Sequence, residues 1–164
     1  MGFHVPGEFG PEILSHREDY ATEKAHSEAL DLVLGFDIPE VERRVKARAG
    51  REASLSDAQL WEHLSPNVFQ TPYSEISRIL REMAPPPGSR VVDLGAGYGR
   101  MAFVVEAFFP QVEFVGYELS RERVAEARRV FALRGLERSA IEEADLGSPA
   151  FTPQAAGYYF LYDF

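Results

Sequence analysis

Cysteine is absent from the 164-residue chain. That excludes disulfides, thiolate nucleophiles and zinc–thiolate sites together, and it is compatible with a cytoplasmic location. No run approaches the roughly 18 consecutive apolar residues of a membrane span, so no membrane partner is expected. The amino terminus lacks a basic stretch followed by an apolar core, which weighs against export. Positive charge is also short: 17 lysines and arginines face 26 acids, for a formal net charge of −9. A tight grip on nucleic-acid backbone needs clustered lysine and arginine, so nucleic acid is a disfavoured partner. Two basic clusters do occur, Arg43, Arg44, Lys46, Arg48 and Arg51, and Arg121, Arg123, Arg128 and Arg129. Both are interleaved with glutamates, which predicts solvated helices with opposite-charge pairs at helical spacing. The histidines (His4, His16, His26 and His63) are scattered without metal-ligand spacing, and no metal site is expected.

What is present is enough for a folded core. Hydrophobic residues make up 45% of the chain, which argues for a globular protein over disorder. The length predicts one domain with a small appendage. Residues 1–70 read as a helical amino-terminal region. The first dozen residues are an irregular arm, and a helix over 22–34 places Ala25, Ala29, Leu30, Leu32 and Val33 mostly on one face. Pro39 fits the first turn of a further helix through Val41 and Val45 that stops at Gly50. Ser54 or Ser56 caps a short helix carrying Leu55, Leu60, Trp61 and Leu64. A helix over 74–83 follows, with Ile76, Ile79, Leu80 and Met83 as its apolar stripe.

The stretch that organises the rest runs Arg90-Val91-Val92-Asp93-Leu94-Gly95-Ala96-Gly97-Tyr98-Gly99-Arg100. It reads as a buried parallel strand, a glycine turn and the start of an apolar helix. Glycines at the strand's carboxyl end allow positive φ and a close ligand approach, and the helix N–H groups face the same crevice. The spacing is D-x-G-x-G-x-G, not the G-x-G-x-x-G that seats a pyrophosphate. A carboxylate just before the turn repels a pyrophosphate and suits an ammonium. Val112-Glu113-Phe114-Val115-Gly116-Tyr117-Glu118 is the next strand. Its terminal Glu118 lies where a doubly wound fold places a carboxylate able to clamp two ribose hydroxyls. A helix over 120–133 leads to a third strand, Ile141-Glu142-Glu143-Ala144-Asp145-Leu146.

Together these stretches resemble the class I S-adenosylmethionine-dependent methyltransferases, beginning with their first motif at Asp93–Gly99. The resemblance implies an α/β, Rossmann-like, doubly wound sheet over 71–164 with S-adenosylmethionine as cofactor. It implies that Asp93 orients the glycine loop or meets the cofactor's amino group, and that Gly95, Ala96, Gly97 and Gly99 admit the cofactor. It further places Glu118 and Leu119 at the ribose and Asp145 with Leu146 at the adenine. The pattern Thr71-Pro72-Tyr73-Ser74-Glu75-Ile76 ahead of the sheet looks somewhat like the Dot1-like branch, whose members methylate protein lysine. In class I methyltransferases the segment just before the sheet often folds over the cofactor, so Thr71, Tyr73 and Glu75 are candidates to cap its methionine end; the alternative is a helix N-terminus with an aromatic packed beneath it.

The run Tyr158-Tyr159-Phe160-Leu161-Tyr162-Asp163-Phe164 predicts a buried fourth strand. The family's sheet has seven strands and four are accounted for, so the expectation is an incomplete carboxyl-terminal half, with an open sheet edge available for self-association. Asp163 sits where the family has a polar residue beside the transferring methyl, and it is the one catalytic candidate. The expected activity is methyl transfer to protein lysine or a small molecule. A non-catalytic cofactor-binding or interaction module and an NAD-dependent oxidoreductase with an unusual loop remain as alternatives.

Overall fold

The computed structural model describes residues 19–49 and 70–162. Asp163, three of the four histidines and the short helix expected after Ser54 lie outside the described residues. Among the described residues, no helix is long and apolar enough to cross a membrane.

The described residues form five helices and four strands in the order α1 (Tyr20–Leu34), α2 (Ile38–Ala49), α3 (Tyr73–Met83), β1 (Arg90–Leu94), α4 (Arg100–Phe108), β2 (Glu113–Glu118), α5 (Arg121–Arg134), β3 (Ser139–Glu143) and β4 (Tyr158–Leu161). The strands form one sheet in the order β3-β2-β1-β4, and every pairing is parallel. This is the expected α/β, doubly wound arrangement. The chain steps from β1 through α4 to β2 and through α5 to β3. It then returns across the sheet to place β4 on the other side of β1. Strand order therefore reverses beside β1, and in open α/β sheets such a switch point opens a crevice at the strands' carboxyl ends.

The strand alternation divides the core. Val91, Phe114 and Ile141 face the helices and join one buried cluster to which all five contribute, including Leu34, Val41, Leu80, Phe103 and Val130. Val92, Val115 and Tyr117 face the opposite side, where Leu146, Phe151 and Ala156 of the β3–β4 connection pack on them.

Three sequence expectations need correction. The buried face of α1 is Ser27, Leu30, Asp31 and Leu34, whereas Leu32 and Val33 are 68% and 41% exposed. The set 27/30/31/34 follows helical periodicity as well as the apolar one does, and buried hydrogen bonds to Ser27 and Asp31 select it. Strand β4 is not buried on both faces: Tyr158 and Phe160 pack towards the helices, while Tyr159 and Leu161 are exposed. It has β1 on one flank, and the connection over 144–157 covers its outer face only in part. Finally, the basic clusters are not simply solvated. Arg43 pairs with Glu40 at the expected spacing, but Arg48 pairs with Glu122 and Arg123 with Glu42 across the α2–α5 interface, in half-buried or buried positions.

Candidate functional site

The site is built at the carboxyl ends of β1 and β2. After Leu94 the chain turns through Gly95, Gly97 and Gly99, all at positive φ. The N–H groups of Gly95 and Ala96 both donate to the Tyr117 carbonyl, at 2.9 and 2.8 Å, so the turn is fastened to the end of β2. Two of the glycines do different work. At Gly99 (φ 72°) a Cβ would stand 2.7 Å from the Phe131 ring, so glycine is needed for helix packing. At Gly97 (φ 56°) a Cβ would meet nothing within 4 Å, so this part of the loop is open to an approaching ligand.

Two acids flank the loop. Glu118 is buried at the end of β2. Its Oε2 accepts from the Gly97 N–H at 2.9 Å and its Oε1 from the Ser120 N–H, also at 2.9 Å. Arg123 Nη1 lies 3.6 Å from Oε1. Burial raises the Glu118 pKa, while Arg123 and the two N–H groups oppose that rise. Asp93 is 8% exposed on β1, and no hydrogen bond among the described residues reaches its carboxyl. Burial, reinforced by the charge of Glu118, pushes its pKa up to about 7. A largely buried acid with no protein partner among the described residues costs stability.

The remaining predicted residues divide. The Ala144 N–H donates to the Glu118 carbonyl at 2.9 Å, which sets the 144–146 segment beside the end of β2. Asp145 is exposed and its Oδ1 accepts from the Gly147 N–H, turning the chain back. Leu146 is half-buried against the Val92–Val115–Tyr117 cluster. Leu119 is 39% exposed next to Glu118. The structure thus gathers Asp93, Gly95, Ala96, Gly97, Gly99, Glu118, Leu119, Asp145 and Leu146 on one rim of the sheet. Of the two readings of Tyr73, the geometry fits the packed aromatic: it is wholly buried and its hydroxyl donates to Asp31 Oδ1 at 2.8 Å, so its side chain is not exposed to a ligand.

The supporting residues escaped the sequence reading. Arg100, the first residue of α4, forms a buried two-point ion pair with Asp31 of α1. It also donates to the Thr71 carbonyl and lies over the Tyr73 ring. Tyr98 turns its hydroxyl inward to Glu42 of α2, at 2.7 Å. The one signal for these partners is a carboxylate at core spacing: Asp31 and Glu42 occupy positions that helical periodicity assigns to the buried face.

Residues 64–153 match the methyltransferase small domain family. That segment is more than half of the chain, which therefore belongs to this family. No curated protein matches the sequence. Solved structures similar to the chain include the YcgJ protein of Bacillus subtilis, at 23% identity and TM-score 0.44 over 52% of this chain and 36% of that one. TrmN of Thermus thermophilus is similar at 26% identity and TM-score 0.40, over 44% of this chain and 22% of that one. An RNA methyltransferase of Salinibacter ruber, solved in complex with S-adenosyl-L-homocysteine, is similar at 23% identity and TM-score 0.44, over 46% of this chain and 50% of that one. The chain thus spans half or less of the length of each of these proteins.

Proposed function

We propose that this chain binds S-adenosylmethionine on the rim formed by β1–β3 and is the cofactor-binding portion of a methyltransferase. The observation that carries the reading is the largely buried Asp93, whose carboxyl has no hydrogen-bond partner among the described residues, beside a glycine loop whose Gly97 is bonded to Glu118. The donor set fits the cofactor's chemistry. Asp93 offers its carboxyl to an ammonium group. The open face of Gly97 admits the ligand against the backbone. Each Glu118 oxygen keeps acceptor capacity for ribose hydroxyls beyond its backbone bonds. Asp145 retains Oδ2, and Leu146 adds an apolar wall, for the adenine.

When bound, the cofactor supplies an electrophilic methyl group, and the protein's part is to hold and orient it. Burial and the charge of Glu118 push the Asp93 pKa up to about 7, so an arriving ammonium favours its anionic form and any proton it holds leaves to solvent. Asp93, just ahead of the glycine turn, opposes a pyrophosphate there, which disfavours a nicotinamide dinucleotide at this rim.

For the acceptor, we favour a protein lysine or a small molecule over nucleic acid. The net charge of −9 supports this. So does the pairing of Arg43, Arg48, Arg100, Arg123 and Arg129 with carboxylates. The test is a calorimetric titration of S-adenosylmethionine and S-adenosylhomocysteine, with NAD as competitor. Saturable binding that NAD does not displace is expected; displacement by NAD, or no binding by the natural full-length protein, would sink the reading.

A further inference from the structure

We propose that Glu42, on a helix outside the segment matching the family, is a positioning residue for this site: it holds Glu118 and the Gly97–Tyr98 turn in place through Arg123 and Tyr98. The inference rests on the cofactor reading above and adds a residue that the glycine motif does not contain.

The geometry is a closed circuit. Gly97 N–H donates to Glu118 Oε2 at 2.9 Å. The next residue, Tyr98, donates its hydroxyl to Glu42 Oε1 at 2.7 Å. Arg123 donates from Nε to Glu42 Oε1 at 2.9 Å and from Nη2 to Glu42 Oε2 at 3.2 Å. Its Nη1 then faces Glu118 Oε1 at 3.6 Å, which closes the ring. Tyr98, Glu42 and Glu118 are nine-tenths or more buried and Arg123 is half-buried, so these contacts are strengthened by the low local dielectric. One guanidinium serves two carboxylates, and its position between them is set by Glu42, which takes two of its three contacts.

Glu42 is not needed merely to dock its helix. Val41 and Val45 of α2 are fully buried in the main core. A separate ion pair, Arg48 with Glu122 at 3.0 Å, ties α2 to α5. What Glu42 alone contributes is the link from α2 to the loop and, through Arg123, to Glu118. The Gln variant makes the point chemically: it keeps Oε1 for Tyr98 but turns Oε2 into an N–H donor facing Arg123 Nη2.

The test uses the full chain in two arms. In ligand-free protein, amide hydrogen exchange at Gly97 is compared among wild type, Glu42→Gln, Tyr98→Phe and the control Arg48→Gln. Exchange at Gly97 should rise about tenfold in the two ring variants, the loss of a charged-group hydrogen bond being of that size. It should stay unchanged in the control, with the amides of β1 and β2 protected throughout. Tyr98→Phe keeps both buried charges, so it carries this arm if Glu42→Gln fails to fold. Unchanged exchange at Gly97 in a folded ring variant would overturn the proposal. In the second arm, Glu42→Gln (or Tyr98→Phe in its place) should weaken S-adenosylhomocysteine binding about tenfold, and that loss should vanish when Glu118 is already Gln. Losses that simply add would make Glu42 a general structural residue. If the natural full-length protein binds no S-adenosylhomocysteine, the cofactor reading fails, while the ligand-free exchange still decides whether Glu42 holds the loop.

Discussion

The first two strands carry charges at both ends, and the two ends treat them oppositely. At the amino end Arg90 stands opposite Glu113 and donates two hydrogen bonds to it, with side chains 34% and 49% exposed. At the carboxyl end two acids, Asp93 and Glu118, are buried close enough for the charge of one to raise the pKa of the other. Opposite charges in water contribute little and cost little. Like charges out of water cost stability, and a fold keeps them where a ligand of opposite charge will meet them. The proposed site thus takes one end of a sheet whose other end is ordinary.

The largest effect should come from removing the acids at the functional end. Glu118→Ala strips an acceptor from the Gly97 and Ser120 N–H groups as well as from the ligand. It should cost about 100-fold in S-adenosylhomocysteine affinity, measured by calorimetry, in line with the loss of a buried charged-group hydrogen bond. Asp93→Ala should also weaken the ligand, but without loosening Gly97.

Glycine substitutions sharpen the contrast within the loop itself. Gly99→Ala forces a Cβ against Phe131 at a positive φ and should lower stability by about 1–3 kcal/mol in denaturant unfolding. Gly97→Ala meets no neighbour and should cost only about 1 kcal/mol for its backbone conformation, yet it puts a methyl where the ligand approaches. Gly97→Ala should therefore lose more binding than stability, and Gly99→Ala more stability.

The acid pair also predicts a pH dependence. The folded chain keeps the Asp93 proton up to about pH 7, whereas the unfolded chain releases it near an ordinary aspartate value of about 4. Between those values the folded state binds more protons, so stability falls as pH rises through the window and levels off above it. Asp93→Asn should flatten that slope in thermal melts and raise stability at pH 7 and above by about 1–3 kcal/mol. The smallest effect belongs to the ordinary end: Arg90→Gln should change stability by less than about 1 kcal/mol, and added salt should mute even that.

How far the sequence could be read follows the range of the interactions involved. The strand–turn–helix around Asp93 to Arg100, the acid ending β2 and the helix behind it are local patterns, and they were legible. So was the pre-sheet helix, to within one residue. The buried charge circuits were not. Asp31 meets Arg100, and Glu42 meets Tyr98 and Arg123, across gaps that no local period spans. Without those partners Ser27 and Asp31 look like surface residues, which is why the apolar face of α1 was misassigned. Tyr73 is ambiguous in sequence for a similar reason: its aromatic ring near the motif is visible there, but its hydroxyl's partner on α1 is not. The exposed side of β4 reflects how little of the 144–157 connection covers it, a tertiary fact that an apolar run does not encode.

The central claim is that Asp93, largely buried with its pKa raised by burial and by Glu118, meets a cationic ligand group. The most direct measurement is calorimetric titration of S-adenosylhomocysteine near pH 7 in two buffers of different ionisation enthalpy, which counts protons exchanged on binding. The account predicts release of a fraction of a proton per ligand bound, from a carboxyl with a pKa of about 7 that the ammonium drives to the anion, and no release from Asp93→Asn. Binding with no proton exchange in the wild-type chain would contradict it.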